Sequence, residues 1–368
     1  MRIAALYQSL IRPFLFRLDP ERAHWSTIAA ASRLGFAAAP LRALLAIDDP
    51  RLRTTVAGLD FPTPIGLSAG FDKNGQAVEA LAGLGFGYVE IGSISAEPSP
   101  GNAAPRLWRL PEDRAVLVAY GVPNDGAAVV AERLAGLRLP VPLGINIVKT
   151  NKGAGAAPES DDAIIAEYAR AAQMLAPRAD YLMFNLSCPN THDGRDFFAD
   201  RGRLNAWLSA IAALDLKPPV FLKVSPLGGV ANIEQLLEVA DPHRFVRGLM
   251  FNLPLVKPEA HMKSPAALWR NRPGAVSGPP AASLLDECLR ECYRRMDRSR
   301  YKLFASGGVA SGVDAYAKIR MGASLVSLYT ALVFEGPLLV RRITAELRDL
   351  LARDGVAHVA DAVGVDVA

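Results

Sequence analysis

The chain has 368 residues, of which 51% are hydrophobic and 21% are charged, so it can bury a large core and intrinsic disorder is excluded. The length suits one barrel domain with an extension. A net charge of +4 and a pI near 9.0 suit an anionic substrate or a membrane surface, but they do not reach the clustered basic surface of a nucleic-acid-binding protein.

The first 40 residues predict two short helices. Leu6, Leu10 and Phe14 recur at helical spacing, and arginines flank them. Asp19 is a capping residue and Pro20 suits the first helical turn, so a second helix should begin there. Such an apolar pair either lies on a membrane surface or caps the main domain, and the pattern leaves both alternatives open. No apolar run has the length of a transmembrane helix, and the start lacks the features of a secretory signal.

From about residue 60, short apolar runs alternate with helical stretches. Eight of these runs end in small or polar residues: PIGLSAGF, YVEIGSIS, VPLGINI, YLMFNLS, VFLKVSP, GLMFNL, KLFASGG and SLVSLYT. Eight strand–helix units in one chain are typical of a closed parallel barrel. We therefore predict an α/β protein with a (β/α)₈ TIM barrel over residues 41–368 and a small helical extension over residues 1–40.

In a TIM barrel, the residues that directly follow the strands form the active-site rim. The residues at these positions are Ala69 to Lys73, Ser93, Asn146, Asn185 to Asn190, Lys223, Asn252, Gly307, Gly308, Tyr329 and Thr330. The last four follow the seventh and eighth strands, where barrels often bind phosphate. Glycine lets backbone N–H groups approach a phosphate closely, so these two loops predict a phosphate site.

Two lysines and one cysteine are candidate charged and acid–base groups. Lys73 and Lys223 follow apolar strands, where an ammonium group can hold an anion or stabilise a reduced flavin. Cys188 lies between Asn185 and Asn190, and a thiol whose pKa is lowered can act as a base. Most free cysteines are buried structural residues, but these polar neighbours favour a catalytic role.

The other two cysteines, Cys288 and Cys292, lie four residues apart in a predicted helix. An odd number of cysteines without a CxxC spacing argues against a disulfide framework and fits a reducing, cytosolic compartment. Because no third ligand is near, we predict two buried side chains and no metal site.

The order of several motifs resembles the dihydroorotate dehydrogenase family. They are AGFDKNG, EIGSISAEPSPGNAAPRLWRL, LGINIVK, NLSCPNT, FLKVSP, VSGPP, ASGGV and LYTALVFEGP. The leader FRLDPERAH resembles the quinone-linked, membrane-associated class, and the resemblance extends from about residue 10 to residue 345. It implies FMN as cofactor, a quinone as electron acceptor, a role in pyrimidine biosynthesis, and peripheral contact with the inner face of the cell membrane through the N-terminal helices.

The resemblance also implies the roles of individual residues. The positions that match FMN contacts are Ala69, Gly70, Lys73, Ser93, Asn146, Asn185, Lys223, Gly278, Gly307, Gly308, Tyr329 and Thr330. The positions that match substrate contacts are Lys73, Asn185, Asn190 and Asn252. Cys188 stands at the position of the catalytic base, where the quinone-linked class usually has serine and the soluble class has cysteine.

The substrate shell departs from the family pattern. A loop that normally reads N-R-M-G-F-N-N here begins with Val118 and Ala119, so an amide and an arginine are replaced. Phe251 and Leu253 replace two threonines around Asn252. We expect these apolar residues on the rim where the polar edge of the substrate lies, and each hydrogen bond lost there costs roughly 1–3 kcal/mol. Tyr120, Asn124 or His192 are candidates to replace the lost contacts.

Three hypotheses follow from this sequence. The first is oxidation of dihydroorotate with electrons passed to a quinone. The second is a diverged FMN dehydrogenase that acts on another cyclic amide or carboxylic acid in a tailoring pathway. The third is a flavin-binding protein without turnover. The retained Lys73, Asn185, Cys188 and Lys223 count against the third hypothesis, and the apolar substitutions count against the first.

Overall fold

The computed structural model describes residues 7–153, 155–187 and 197–367. Eight parallel strands form a closed barrel in which each strand pairs with the next one along the chain. The barrel strands are Ile65–Leu67, Tyr88–Ile94, Leu143–Ile147, Tyr181–Asn185, Val220–Val224, Val246–Phe251, Lys302–Ala305 and Ala323–Leu328. Each strand overlaps one of the eight predicted runs, which confirms the predicted TIM barrel.

The barrel strands are apolar on both faces because one face fills the barrel and the other packs under the helices. The barrel interior contains a cluster of large side chains that includes Tyr88, Tyr181, Phe221 and Phe304. Their rings meet edge to face, with centroids 4.8 Å apart for Phe221 and Phe304. These side chains make the barrel a packed core with no open channel through it.

A hairpin of the strands Thr54–Val56 and Leu59–Phe61 adds Val56 and Phe61 to the interior cluster. The Phe61 ring meets the Tyr88 ring at 5.6 Å. Because Tyr88 begins its strand, the hairpin covers the amino-terminal end of the barrel.

Helices cover the outside of the barrel. The α-helices are Val78–Gly83, Ala127–Arg133, Asp161–Leu175, Arg201–Ala212, Gly229–Ala240, Ala282–Arg295, Gly312–Arg320, Thr330–Glu335 and Leu339–Arg353. Short 3₁₀ turns lie at Pro50–Leu52, Pro111–Asp113, Ala176–Arg178, Phe197–Ala199, Glu259–His261, Ala266–Leu268, Pro279–Ala281 and Val359–Ala362. Ser160, Asp200 and Ser311 each cap a helix by accepting a hydrogen bond from the N–H three residues ahead.

Cys288 and Cys292 lie on the helix Ala282–Arg295, and both are buried in the main core. This confirms the prediction that they are buried side chains. Among the residues whose structure is described, no group of three or more His, Cys, Asp or Glu side chains is placed to hold a metal ion.

The described part of the N-terminal extension, from residue 7 onward, contains a π-helical turn, two α-helices and a 3₁₀ turn: Tyr7–Ile11, Arg12–Arg17, Pro20–Ser32 and Gly35–Ala37. Asp19 accepts hydrogen bonds from the N–H groups of Glu21 and Arg22, which confirms the predicted helix start. A further helix, Ala38–Leu45, runs through the predicted domain boundary at residue 40.

Within the described ranges, no single helix is long and apolar enough to span a membrane. The segments Pro20–Ser32 and Gly35–Leu45 meet the length and composition criteria only as a pair, and the pair is bent by 64°.

A three-stranded antiparallel sheet forms above the carboxyl ends of the barrel strands. Its strands are Leu107–Leu110, Ala115–Val118 and Ala275–Ser277. This sheet was not among the elements predicted from the sequence. It brings Val118 and Ser277, which are far apart in sequence, to the same cavity.

Candidate active site

A cavity of about 160 Å³ lies at the carboxyl ends of the barrel strands. Most of the predicted site residues line it: Ala69, Gly70, Lys73, Ser93, Asn185, Lys223, Asn252, Gly278, Gly307, Gly308, Tyr329 and Thr330. Asn146 does not line the cavity and lies behind Ser93, to which it is hydrogen-bonded. These residues meet because all parallel strands of a barrel end on the same rim.

A chain of hydrogen-bonded side chains forms the floor of this cavity. The Ser93 hydroxyl donates to Asn146 Oδ1 at 2.5 Å, and Asn146 Nδ2 donates to Glu90 at 3.0 Å. In the other direction, Asn185 Nδ2 donates to Ser93 Oγ at 3.3 Å. Asn252 Nδ2 donates to Asn185 Oδ1 at 3.0 Å. Each amide is thereby fixed in orientation before any ligand binds.

Glu90 anchors this chain inside the barrel. It is buried, and the Tyr181 hydroxyl donates to its second oxygen at 3.0 Å. Burial raises the pKa of Glu90, whereas the Lys223 ammonium and the bonds from Asn146 and Tyr181 act in the opposite direction. Glu90 was not among the predicted site residues, although a lone carboxylate inside the apolar strand YVEIGSI was an available signal.

Lys73 lies in a pocket built from both the barrel and the extension. Its Nζ is 3.0 Å from His24 Nε2 and donates to the Gly70 carbonyl at 2.9 Å. It also lies 4.1 Å from the Tyr120 ring centroid and 5.1 Å from the Trp25 ring centroid. Lys73 therefore lies at the predicted rim. It also contacts the extension, which the sequence did not indicate.

Burial lowers the pKa of Lys73 to about 7, against the opposing effect of the Asp72 and Glu21 carboxylates. The Arg106 guanidinium adds to the lowering. Burial, with the Lys73 charge in addition, holds the pKa of His24 well below its ordinary value. Lys73 can therefore exchange a proton near neutral pH while His24 stays neutral.

Glycines and hydroxyl groups line the opposite side of the cavity. Gly307 and Gly308 have φ angles of 88° and 74°, which only glycine adopts readily. Within the described part of the chain, neither of their N–H groups donates to another residue. The hydroxyls of Ser277 and Thr330 are 2.7 Å apart beside this loop. Exposed N–H groups together with hydroxyls form an anion-binding surface.

An apolar wall faces the polar floor. Val118, Val122 and Leu253 line the cavity, as we expected for Val118 and Leu253. The expectation for Ala119 and Phe251 was wrong, because neither of them is among the cavity-lining residues. Phe251 packs in the core between barrel and helices, since its neighbour Met250 points into the barrel and successive strand residues face opposite sides.

Two of the three candidates for replacing the lost contacts lie in the described part of the chain. Asn124 is engaged by its own loop: its Oδ1 accepts from the Ser95 and Gly126 N–H groups, and its Nδ2 donates to Ser95 Oγ. It therefore serves as a structural residue. Tyr120 lines the cavity, and within the described residues its buried hydroxyl has no hydrogen-bond partner.

The segment from Cys188 to Asp196 lies outside the described residues. The predicted base Cys188, the predicted substrate contact Asn190 and the third candidate His192 all belong to it. The described residue before it, Ser187, accepts a hydrogen bond from Asn252 through its carbonyl at 3.0 Å. The chain therefore enters this segment from the floor of the cavity.

A second cavity of about 260 Å³ lies between the extension and the barrel. Apolar side chains such as Leu15, Phe16 and Leu34 form most of its wall. His24 lines it from the extension, and Tyr329 lines both cavities. Only a thin layer of side chains therefore separates the polar cavity from the apolar one.

Comparisons with known proteins agree with this architecture. The sequence model of the family described as "Dihydroorotate dehydrogenase" matches residues 51–351. A relative from Sphingopyxis alaskensis named "Dihydroorotate dehydrogenase (quinone)" is 42% identical, covering 97% of this chain and 96% of the relative. A relative of the same name from Natronomonas pharaonis is 40% identical, covering 98% and 99%.

Solved structures agree as well. The ligand-free dihydroorotate dehydrogenase of Eimeria tenella has a TM-score of 0.82 and 31% identity, covering 95% of this chain and 99% of that chain. The same enzyme in complex with ferulenol has a TM-score of 0.80 and 31% identity, covering 95% and 96%. The two relatives named above both carry quinone in their names. The chain belongs to the dihydroorotate dehydrogenase family.

Proposed function

We propose that the protein is an FMN-dependent dehydrogenase that oxidises dihydroorotate to orotate and passes the electrons to a quinone. The observation that carries the proposal is the pair of adjoining cavities, one polar and one apolar, in a member of this family. The polar cavity suits the oxidation of a polar substrate, and the apolar cavity suits an isoprenoid quinone.

The residues of the polar cavity fit FMN. The N–H groups of Gly307 and Gly308, which donate to no residue in the described part of the chain, suit its phosphate together with the hydroxyls of Ser277 and Thr330. At Gly70, where φ is 100°, an added Cβ would meet nothing within 4 Å, so the backbone there borders open space that suits a flat ring. FMN contacts from Ala69, Lys73, Ser93, Asn185, Lys223, Gly278 and Tyr329, with Asn146 behind them, complete the proposed site.

Bound FMN supplies a hydride acceptor. We assign Cys188 as the base that removes the proton next to the substrate carbonyl. Lys223 and Lys73 provide positive charge for the negative charge that builds up during the oxidation. Asn185 holds the substrate from the floor together with Asn190. Asn252 contributes its Oδ1 as an acceptor, because both hydrogens of its Nδ2 are used within the floor.

A second candidate function is oxidation of a less polar substrate. It is favoured by Val118 and Leu253, which line the cavity where the family pattern has an amide and a threonine. Asn252 offers little compensation, because its Nδ2 already donates to Asn185 and to the Ser187 carbonyl. Unpaired polar atoms of dihydroorotate at this wall would cost roughly 1–3 kcal/mol each.

One experiment separates the two functions. Dihydroorotate is added without oxygen to the oxidised flavoprotein while the flavin absorbance is followed, and orotate is titrated into a second sample. Rapid bleaching and tight orotate binding support dihydroorotate as the substrate. Two results together support the second candidate. Dihydroorotate bleaches the flavin slowly in the unaltered protein and faster in Val118→Asn, and a less polar cyclic amide bleaches the flavin of the unaltered protein.

We also propose that the extension, residues 1–40, contacts the membrane peripherally, at the inner face of the cell membrane. Several of its apolar side chains are exposed, among them Leu10 at 63%, Phe14 at 62% and Phe36 at 85%. Arg12 and Arg17 flank Phe14 in the same helix. Exposed apolar side chains next to arginines are typical of a helix that lies on a membrane surface, and this surface adjoins the apolar cavity.

A further inference from the structure

The wall between the two cavities contains a lysine and a histidine in direct contact. Lys73 lines the polar cavity, His24 lines the apolar cavity, and their nitrogens are 3.0 Å apart. An ammonium group can only donate, so His24 Nε2 accepts this hydrogen bond. The two cavities are therefore connected by a hydrogen bond between groups that can both carry a proton.

From this geometry we propose that Lys73 and His24 form a proton relay from the polar cavity to a quinone in the apolar cavity. The proposal rests on the quinone function proposed above. Reduction of a quinone to a hydroquinone takes two electrons and two protons. Bound FMN, reduced and anionic, would supply the two electrons with one proton. One more proton would then have to reach a quinone oxygen in a cavity lined mostly by apolar side chains.

In each step of the relay, one bond to hydrogen breaks and another forms. The Nζ–H bond of the Lys73 ammonium breaks and an Nε2–H bond forms on His24. The Nδ1–H bond of His24 then breaks, and an O–H bond forms on the quinone. His24 returns to its starting tautomer by proton exchange with water after the hydroquinone leaves, and Lys73 recovers its proton from water in the polar cavity after the product leaves.

The surroundings of the pair suit such a relay. The charged groups near Lys73 are Asp72, Glu21 and Arg106. Arg106 and Glu21 pair with each other through Arg106 Nη2 and Glu21 Oε1 at 2.8 Å. The Asp72 oxygens accept hydrogen bonds from the backbone N–H groups of Asn74, Gln76 and Ala77.

Aromatic rings hold the histidine in place. The His24 ring meets the Phe71 ring at 5.6 Å and the Trp25 ring at 5.3 Å, both edge to face. The lowered pKa of Lys73 makes its ammonium a proton donor near neutral pH, and the lowered pKa of His24 keeps the ring a neutral carrier. The extension thus contributes a catalytic group as well as a wall of the apolar cavity.

The test compares two electron acceptors on the flavoprotein after chemical reduction with dithionite, so it does not require the organic substrate. Reoxidation by a short-chain ubiquinone needs a delivered proton, whereas reoxidation by ferricyanide does not. In His24→Gln we expect the ratio of the ubiquinone rate to the ferricyanide rate to fall at least tenfold. His243→Gln changes a half-buried histidine that bonds to Asn205, far from both cavities. It is the matched control and should keep the ratio of the unaltered protein.

A second measurement does not depend on turnover. The chain has five histidines, so their ¹⁵N resonances can be assigned by substitution. The relay requires His24 to carry its proton on Nδ1 and to accept at Nε2, and Lys73→Met should shift the Nε2 resonance. His24→Phe provides a second variant with a ring of similar shape and no proton.

The outcomes separate the relay from the proposed function. An unchanged rate ratio in His24→Gln and His24→Phe, or a His24 that carries its proton on Nε2, would overturn the relay alone. If ferricyanide reoxidises the unaltered protein but ubiquinone does not, then the quinone function and the relay both fail.

Discussion

Replacing Lys73 by methionine should change how the stability of the flavin-free protein depends on pH. Burial lowers the pKa of Lys73 from 10.5 to about 7. The unfolded chain therefore binds more protons than the folded chain between about pH 7 and 10.5, and the free energy of unfolding rises with pH in this window. Below pH 7 the buried charge destabilises the fold in full, and above pH 10.5 the effect is gone.

The size of the effect follows from the shift. One pKa unit corresponds to about 1.4 kcal/mol, so the full effect below pH 7 is about 5 kcal/mol. Between pH 6 and pH 9, the unaltered protein should gain about 2–3 kcal/mol of unfolding free energy that Lys73→Met does not gain. The difference between the two pH values cancels the change in packing that the substitution also causes, because packing does not depend on pH.

The assay is urea unfolding of both proteins at pH 6 and pH 9, followed by tryptophan fluorescence. Flavin is removed beforehand, because a bound flavin would place its own charge next to the ammonium group. Lys217→Met is the matched control, since the side chain of Lys217 is 90% exposed and its ammonium stays in solvent on folding. Equal pH dependence in the unaltered protein and in Lys73→Met would refute the argument that burial destabilises the charged lysine.

Three further predictions follow from the site and the extension. The purified protein should be yellow with FMN and not FAD, and a colourless protein that fails to take up FMN would contradict the assigned cavity. Cys188→Ala should keep FMN but lose flavin reduction by substrate, while Cys188→Ser should keep some activity with its pH optimum at a higher value. Unchanged flavin reduction in Cys188→Ala would exclude Cys188 as the catalytic base. Changing Phe14 and Phe36 to serine should weaken flotation with anionic lipid vesicles severalfold. The same change at the exposed Val256, outside the extension, should not, and equal loss in both variants would argue against a specific membrane surface.

The sequence was informative wherever local pattern decides structure. The eight apolar runs became the eight barrel strands, and residues such as Ser93, Asn185 and Lys223 line one cavity because parallel strands share one rim. The contact of His24 with Lys73 could not be predicted in this way, since it joins residues 49 positions apart through the docking of a helix. Phe251 shows a related limit: its rim position was predicted by adjacency to Asn252, but strand alternation turns its side chain outward.

The docking of the extension has a consequence for how the protein is made. The Tyr7 hydroxyl bonds to the Val333 carbonyl at 2.7 Å, and the two residues are 326 positions apart. At about 5–20 residues per second, a ribosome needs on the order of 15–65 seconds to add the later residue after the earlier one. During that time the extension is complete while its docking surface does not exist. Its apolar side chains are then open to chaperones and to the membrane, so the extension can reach a lipid surface before the barrel closes behind it.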